Sequence, residues 1–366
     1  MHSKTAVPSR VTGPTAIRRG LWASIGAVVA VCFACVTAAP ALATTYSITD
    51  LGNLGYPTAR GAGINESGQV AGTSYLAQRV EYNVGCPPRH RPCFVHPEHP
   101  FLWSEGKITD LGTLGSGLFA EGTAINNLGE VAGFSNLKNG ERHAFVFHNG
   151  KLTDLGSTAQ ESRAFAINDS GVVAGSESIP GEGHTDAVLW TNGKVTDLGL
   201  LPGEGGIFTD ASGINNSNEV VGSGDNKESM ERAFVWRNGT MTDIGTLGGP
   251  QASANAINNN GQVVGFAQTS TDADHGFIYQ NGKMTDLGLN IDPNAISNDG
   301  VIVGQGGCGN AIIVSNGLCR DLQTLIPAGS GYELREALGI NNKGQIVVDA
   351  STTTTFQNHA LLLNPN

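Results

Sequence analysis

The chain has little charge and few of the residues that mark several protein classes. Charged residues make up 14% of its 366 residues, against roughly 25% in an average soluble protein. Aromatic residues account for only 6%, and there are 15 prolines. The glycines show no Gly-X-Y period, which excludes a collagen-like chain. Valine, isoleucine, leucine and phenylalanine are nevertheless plentiful, which excludes disorder caused by weak hydrophobicity.

Glycine is the residue that the sequence has in excess. There are 51 glycines, about twice the average share of roughly 7%. Glycine is favoured where the backbone takes a positive φ or approaches another segment closely. We therefore expect a folded chain with many tight turns.

The first 43 residues have the pattern of an export signal. An apolar run from Leu21 ends in Ala-Leu-Ala at 41–43, which matches a small-residue cleavage site. No acidic residue occurs before Asp50, and the run follows four basic residues: Lys4, Arg10, Arg18 and Arg19. An uncleaved membrane anchor is the alternative. Cleavage predicts a signal peptide at 1–43 and a mature chain, 44–366, that is secreted or held in the periplasm or cell envelope.

The mature chain is strongly acidic. Removal of 1–43 takes away four of 21 basic residues and none of 32 acidic ones, which leaves a net charge of −15. Such a charge disfavours binding to nucleic acid. No second apolar run approaches the roughly 20 residues needed to cross a bilayer, so we expect no stable membrane insertion.

Four cysteines remain after cleavage, and an oxidising compartment makes disulfides plausible. Four cysteines allow three connectivities, of which we favour the local pairs Cys86–Cys93 and Cys308–Cys319. No Cys-x-x-Cys pair is left, so we expect no metal site and no cofactor.

Three phrases recur along the chain. Thr-Asp-Leu-Gly occurs at 49–52, 109–112, 153–156, 196–199 and 285–288, with related copies at 242–245 and 320–323. Between them lies Ile-Asn-x-x-Gly, followed by Val-Val-Gly and then by His-Ala-Phe-Val-Phe, which is complete at 143–147. These phrases resemble the HAF-repeat family of exported bacterial proteins over essentially the whole mature chain. The resemblance implies an exported repeat protein and no particular chemistry.

Each repeat of about 43 residues is predicted to form four strands, a to d. Asn-x-x-Gly is a tight turn between a and b, His-Ala-Phe-Val-Phe alternates as strand c, and Asn-Gly is a hairpin signal between c and d. Four antiparallel strands per repeat are typical of a propeller blade. The sequence predicts an all-β, seven-bladed β-propeller. Its N-terminal strand, a d strand, completes the last blade, which removes exposed sheet edges. We expect a monomer.

Length variation falls on one side of the predicted propeller. The a–b and c–d turns share one face, which we call the turn face, and the b–c and d–a loops share the other, the loop face. Blade one carries an insertion, 73–98, between strands b and c. Varied loops on a rigid scaffold usually carry function, so we predict ligand contacts from six residues of this insertion: Arg79, Tyr82, Arg89, His90, Arg91 and His96. A surface elaboration over the channel mouth or a blade edge is the alternative.

Three repeated polar positions have structural interpretations. The asparagines of Ile-Asn could form a ring, although an amide that satisfies its own turn is the favoured interpretation. The aspartates of Thr-Asp-Leu-Gly are expected to fix turns, and the histidines that open strand c to cap that strand. No Gly-x-Ser-x-Gly, His-Glu-x-x-His or Gly-Lys-Ser/Thr motif is present, so catalysis has little support.

The sequence therefore favours an exported binding or scaffolding propeller whose loop face meets a protein or glycan. The alternative is a carbohydrate-active hydrolase or lyase, because paired carboxylates perform glycosidic acid–base chemistry. The charged residues that could converge at the channel mouth for this purpose are Arg60, Glu121, Glu161, Arg163, Asp210, Glu333, Arg335 and Glu336.

Overall fold

The computed structural model describes residues 45–81, 93–115, 117–156, 161–178, 181, 183–201, 206–288 and 290–366. The predicted signal peptide lies outside these residues, as do Tyr82, Cys86, Arg89, His90 and Arg91. The described part of the chain is a seven-bladed β-propeller of four-stranded antiparallel sheets, which confirms the predicted fold. No helix among the described residues is long and apolar enough to span a membrane.

Each blade runs from an inner strand a to an outer strand d, and the strands are numbered in chain order. The first strand is β1 (Tyr46–Asp50). Blade 1 contains β2 (Gly55–Ile64), β3 (Val70–Leu76), β6 (Glu98–Ser104) and β7 (Lys107–Asp110), with a hairpin of β4 (Val80–Glu81) and β5 (Phe94–Val95) in its insertion. Blade 2 contains β8 (Ala120–Ile125), β9 (Val131–Asn136), β10 (Arg142–His148) and β11 (Lys151–Asp154). Blade 3 contains β12 (Ser162–Ile167), β13 (Val173–Ser178), β14 (Thr185–Thr191) and β15 (Lys194–Gly199).

The remaining blades follow the same order. Blade 4 contains β16 (Thr209–Ile214), β17 (Val220–Asp225), β18 (Glu231–Arg237) and β19 (Thr240–Asp243). Blade 5 contains β20 (Gly248–Ile257), β21 (Val263–Thr269), β22 (Asp274–Gln280) and β23 (Lys283–Asp286). Blade 6 contains β24 (Ile291–Ile296), β25 (Ile302–Gly306), β26 (Gly309–Ser315) and β27 (Leu318–Asp321), followed by a 3₁₀ turn at Leu322–Leu325. Blade 7 contains β28 (Tyr332–Ile340), β29 (Ile346–Thr352) and β30 (Asn358–Pro365).

The N-terminal strand closes the ring. β1 pairs antiparallel with β30, with Tyr46 opposite Pro365 and Asp50 opposite Leu361. It is therefore the outer strand of blade 7, as the sequence predicted. This pairing covers the edge of β30 that would otherwise be free to recruit another strand.

Turn residues explain why these segments form hairpins. Asn149 and Gly150 have φ values of 49° and 78°, which is the double positive φ that a type I′ turn requires. Glu105 and Gly106 take the same conformation in blade 1, at 50° and 81°. The c–d connections therefore stay short, and the propeller keeps a compact turn face.

The core lies between successive blades and depends on the close fit of strand b against strand c. Gly133 of β9 is paired with Phe145 of β10, and the ring of Phe145 is fully buried. A Cβ atom at Gly133 would overlap the carbonyl oxygen of Glu121 and approach Phe145 Cζ at 2.8 Å. The glycine of Val-Val-Gly therefore makes room both for the inner strand and for the phenylalanine of His-Ala-Phe.

The two disulfide predictions have different outcomes. Cys308 and Cys319 form a disulfide that joins the turn between β25 and β26 to β27 within blade 6, as predicted. Cys93 is also disulfide-bonded, and its predicted partner, Cys86, lies outside the described residues.

Candidate functional site

An irregularity shared by all seven inner strands shapes the central channel. In each blade the pairing of strand a with strand b shifts register at one extra residue of strand a. That residue lies two positions before the isoleucine of Ile-Asn or Ile-Ser. A β-bulge re-aims the side chain of the extra residue, in this case toward the axis. We call this the axial position, and its seven occupants are Ala62, Thr123, Phe165, Ser212, Asn255, Asn294 and Leu338.

A cavity of about 610 Å³ opens at the loop-face end of the channel; we call it the loop-face cavity. It falls within the roughly 300–1,000 Å³ range of small-molecule sites. Five of the axial residues line it, together with Arg60, Gly61, Thr73, Tyr75, Glu98, Glu121, Gly122, Asp210 and Ser223. Its charged groups from the described part of the chain come from blades 1, 2 and 4.

The charged groups of the cavity come mainly from one position of the repeat, which lies on strand a, four residues before the isoleucine of Ile-Asn or Ile-Ser. It holds Arg60, Glu121, Arg163, Asp210, Ser253, Asp292 and Glu336. The structure therefore brings Arg60, Glu121 and Asp210 together in the loop-face cavity, as the alternative enzymatic interpretation anticipated. Arg163 lies in an adjoining cavity of about 260 Å³ and forms an ion pair with Glu161 at 3.5 Å.

Other charged residues that the sequence placed at the channel mouth lie outside the loop-face cavity. Arg335 donates from Nε to Ser351 Oγ at 3.1 Å and lines a separate cavity of about 460 Å³. Glu333 is exposed and lines none of these cavities. Of the eight charged residues that could converge according to the sequence, Arg60, Glu121 and Asp210 do so in the loop-face cavity, whereas Glu161, Arg163, Glu333, Arg335 and Glu336 do not line it.

The two halves of the channel mouth differ in how their polar groups are satisfied. On the side of blades 5 to 7, Asn255 donates to Asp292 at 2.8 Å and Asn294 donates to Glu336 at 2.9 Å. On the side of blades 1, 2 and 4, the carboxylates of Glu98, Glu121 and Asp210 and the guanidinium of Arg60 have no hydrogen bond or ion pair within the described part of the chain. These four groups are therefore available to a ligand.

Tyr75 and Glu98 face the same side of blade 1 because they are opposite each other in the pairing of β3 with β6. Burial raises the pKa of Glu98, the charge of Glu121 raises it further, and Arg60 opposes both. Burial likewise raises the pKa of Tyr75, with Glu98 adding to the effect. The wall between blades 1 and 2 therefore holds a carboxyl that protonates more readily than usual beside a second carboxylate.

The described residues of the insertion lie beside this wall. The ring of His96 lies 4.0 Å from that of Tyr56 between centroids, and Tyr56 makes an edge contact with Tyr75 at 6.2 Å. His96 Nδ1 is bonded to the carbonyl oxygen of Leu76 at 2.8 Å. Arg79 instead lies over the ring of Phe94, 5.4 Å from its centroid. Of the two described insertion candidates, His96 adjoins the cavity wall through Tyr56, and Arg79 packs within the hairpin.

Asp349 is a buried carboxyl at the junction of blades 7 and 1. Its Oδ1 accepts a hydrogen bond from the Gly61 amide at 2.8 Å. Burial raises the pKa of Asp349 to about 7, although the Gly61 amide and Arg60 lower it, and Glu336 raises it further. Asp349 is not among the residues predicted from sequence. It could have been found by comparing the repeats. Among the seven blades, only blade 7 has an acidic residue at the position after the glycine of Val-Val-Gly, and in that blade Val348 replaces the glycine.

The turn face carries a shallow cavity of about 170 Å³ with no lining residue in common with the loop-face cavity. Asn126 Oδ1 accepts from the amides of Leu128 and Glu130 in its own turn, as predicted. Its Nδ2 also donates to the backbone oxygen of Asn168 in the next blade at 3.0 Å. The asparagines therefore form an inter-blade ring as well, which six side chains build: Asn65, Asn126, Asn168, Asn215, Asn258 and Asn341.

A second ring of hydrogen bonds lies beside the first and includes all seven blades. In each blade the amide of the residue after Ile-Asn or Ile-Ser donates to a side-chain oxygen of the next blade. The seven residues are Glu66, Asn127, Asp169, Asn216, Asn259, Asn298 and Asn342. Because these oxygens are already engaged, the turn face is a structural closure of the propeller.

The histidines and aspartates of the repeats also have structural partners. His99 Nδ1 lies 2.8 Å from Asp110 Oδ1, and the Gly112 amide donates to the same oxygen. The same His–Asp arrangement occurs in blades 2, 5 and 7, and arginine replaces histidine in blade 4. The aspartates therefore fix turns, as predicted, and also join strand d to strand c. No cluster of three or more metal-binding side chains occurs among the described residues.

Known structures resemble the chain in fold. The β-propeller domain of the Trilobed protease from Pyrococcus furiosus is 9% identical, with a TM-score of 0.50, 84% of this chain and 93% of that chain covered. A gluconolactonase from Xanthomonas campestris is 10% identical, with a TM-score of 0.42 and 88% and 95% covered. TolB from Acinetobacter baumannii is 10% identical, with a TM-score of 0.39 and 81% covered, and the chain spans 63% of that protein's chain.

Sequence comparisons add no relative to these structural similarities. No protein-family model matches the chain, and no curated protein matches it. At identities near 10%, the structural similarities establish the fold alone. The chain is a seven-bladed β-propeller.

Proposed function

We propose that the protein is an exported ligand-binding propeller and that the loop-face cavity is its ligand site. The observation that carries this proposal is the unequal satisfaction of the channel mouth. Blades 5 to 7 pair their polar groups with one another, whereas the side chains of Arg60, Glu98, Glu121 and Asp210 border about 610 Å³ of open space with no hydrogen bond or ion pair to another described residue. Convergent, unsatisfied polar groups in a cavity are typical of a ligand site.

Chemistry at the wall favours a glycan as the ligand. Tyr75 and Phe165 supply aromatic surface, Ser212 and Ser223 supply hydroxyl groups, and the carboxylates supply strong hydrogen-bond acceptors. Saccharides present hydroxyl groups at their edges and C–H groups on their faces, and this lining complements both. Export is supported by the apolar segment that ends near residue 43, by the Cys308–Cys319 disulfide and by the resemblance to HAF repeats.

A cavity-filling variant tests the location of the site. Ser212 is the axial residue of blade 4, and Phe165 is the axial residue of blade 3. Ser212→Phe therefore introduces a side chain that the axial position of the neighbouring blade already accommodates. The purified protein is screened against glycans, and the affinity of each hit is measured for wild type and variant. We expect Ser212→Phe to lower the affinity by about tenfold or more, since it occupies the site.

The matched control is Ser217→Phe, which adds the same side chain to an exposed turn-face position and should leave affinity unchanged. A ligand that is unaffected by Ser212→Phe but is lost when residues 78–97 are deleted would contradict the proposal and assign binding to the insertion. Equal losses in both phenylalanine variants would also contradict it.

Hydrolysis of a glycan is a second candidate, and one observation favours it. Glu98 has a raised pKa because of burial and the neighbouring charge of Glu121, and carboxyls whose environments push their pKa values apart can divide acid and base roles. Incubation with oligosaccharides followed by mass spectrometry tests this function. Shortened products that disappear in Glu98→Gln would support hydrolysis, whereas intact ligand with retained binding would support binding alone.

A further inference from the structure

The loop-face cavity has an unbalanced charge. Among the described residues that line it, three carboxylates, from Glu98, Glu121 and Asp210, face one guanidinium, from Arg60. The nearest additional cation at the same strand position, Arg163, is already paired with Glu161 at 3.5 Å. A cavity of net negative charge attracts a ligand cation, and the attraction is strengthened by partial removal of water.

This imbalance is not needed to hold the fold together. The acids at the equivalent position in blades 6 and 7, Asp292 and Glu336, each accept a hydrogen bond from an asparagine of the preceding blade. Glu121 and Asp210 have no such donor, because the preceding axial residues are Ala62 and Phe165. The carboxylates of blades 2 and 4 therefore make no interblade bond of this kind.

Aromatic and hydroxyl groups surround the carboxylates. Tyr75 lies opposite Glu98 in the pairing of β3 with β6 and reaches the aromatic pair formed by Tyr56 and His96. A protonated amine is favoured both by carboxylates and by the face of an aromatic ring. A sugar ring is favoured by the hydroxyl-rich wall and by the fixed, largely preformed shape of a channel built from β-strands.

We propose that the loop-face cavity recognises a saccharide carrying a free, protonated amine, with the ammonium group held between Glu98 and Glu121. The inference rests on the proposed function, since it names the ligand class of the same site. Arg60 then contacts ring or linkage oxygens, and Tyr75 contacts the sugar face. Saccharides whose amine is acetylated lack the cation and lose this pairing.

A pair of probes that differ only in this charge tests the proposal. A disaccharide of glucosamine and its N-acetylated counterpart are titrated calorimetrically into the full protein, at a pH where the amine is protonated. We expect the glucosamine disaccharide to bind at least about tenfold more tightly, which corresponds to one charge-assisted hydrogen bond. Its affinity should fall as salt is added, because the pairing is electrostatic.

Proton release gives a second readout. Burial and Glu121 raise the pKa of Glu98, and an ammonium group beside the Glu98 carboxyl favours its ionised form. Binding of the amine should therefore release protons, so the measured binding enthalpy should vary with the ionisation enthalpy of the buffer. Binding of the acetylated disaccharide should show no such variation.

Glu121→Gln and Glu105→Gln form a matched pair of variants. Each removes one negative charge without changing the size of the side chain, but Glu105 lies in a c–d turn on the turn face. We expect Glu121→Gln to weaken binding of the glucosamine disaccharide by about tenfold and Glu105→Gln to leave it unchanged. Glu121 is exposed and has no partner among the described residues, so the variant should fold normally.

The outcomes separate this inference from the proposed function. Equal or tighter binding of the acetylated disaccharide, blocked by Ser212→Phe, would overturn the amine inference and keep the cavity as the ligand site. Failure of the glucosamine disaccharide to bind at all would also overturn the inference, whereas amine-dependent binding that persists in Ser212→Phe would overturn both.

Discussion

The side-chain amide of Asn341 donates to the backbone carbonyl oxygen of Asn65 at 3.0 Å, although 276 residues separate them in the chain. This bond connects the last blade to the first on the turn face. The pairing of β1 with β30 completes the last blade at its outer edge. The propeller is therefore closed twice, once at its outer edge and once around its axis.

Shortening Asn341 to serine should weaken the closure. Serine at this position can still accept a bond within its own turn, as Ser297 Oγ does from the Val301 amide. It cannot be expected to reach Asn65, because no interblade donor bond from Ser297 is present among the described residues. We expect Asn341→Ser to lower the free energy of unfolding by about 1–2 kcal/mol, measured by urea denaturation.

Ser297→Ala is the control for that variant. It removes only an in-turn acceptor, so its cost should be smaller than that of Asn341→Ser. If the two variants cost the same, the interblade bond of Asn341 contributes nothing measurable to stability.

Adding a methyl group at Gly133 should be as disruptive as removing part of the core. A Cβ atom there would overlap the Glu121 carbonyl and lie 2.8 Å from Phe145 Cζ, so strand b must move away from both neighbours. We expect Gly133→Ala to lower the free energy of unfolding by about 2–4 kcal/mol. Gly150→Ala is the control, because a Cβ atom at this turn glycine would have no other atom within 4 Å and would add only the strain of a positive φ. It should cost less, about 1 kcal/mol.

Asp349 should make stability fall as pH rises. Burial raises the pKa of its carboxyl to about 7 in the folded protein, against roughly 3.9 when unfolded. The folded state therefore binds the proton more tightly, and stability decreases between about pH 4 and pH 7. Asp349→Asn keeps an oxygen for the Gly61 amide and removes the ionisation.

That variant should be more stable than the wild type at about pH 8, by roughly 1–3 kcal/mol, and nearly equal below about pH 4. Thermal denaturation at the two pH values measures the difference. An identical pH dependence in both proteins would show that the carboxyl titrates normally.

The His99–Asp110 pair should make its contribution at neutral pH and lose it in acid. Partial burial alone would raise the pKa of Asp110, but the bonds from His99 and the Gly112 amide and the charge of His99 outweigh it and lower the pKa. Stabilisation is therefore complete above the unfolded pKa of roughly 3.9 and is lost as pH falls below it.

Thermal denaturation of wild type and Asp110→Asn over a pH series checks this. The difference in Tm should be greatest near neutrality and should shrink below about pH 4. A difference that is constant with pH would mean that the charge of Asp110 does not contribute.

The fold could be predicted from sequence because its turns impose local requirements. Asn149-Gly150 needs two positive φ values, and Thr-Asp-Leu-Gly and Ile-Asn-x-x-Gly alternate in the same order along the chain, so strand order followed from local chemistry. The donor bond from Asn341 to Asn65 could not be predicted in the same way. It depends on the distance between turns of neighbouring blades, which no local pattern encodes.

The candidate site was predicted only in part for a related reason. Glu121 and Asp210 lie on predicted inner strands, so their convergence at the channel mouth could be anticipated from sequence. Glu98 faces Tyr75 because β3 pairs with β6 across the insertion, and the register of that pairing is not encoded in the local sequence pattern. The sequence predicted a ligand contact from Arg79, but its guanidinium lies over the ring of Phe94.

The most direct test of the account is a crystal structure of the protein with a saccharide identified by the binding screen. We predict ligand density in the loop-face cavity, in contact with Tyr75 and within hydrogen-bond distance of Glu121. Density on the turn face, or on the insertion outside the cavity, would contradict the assignment of the ligand site.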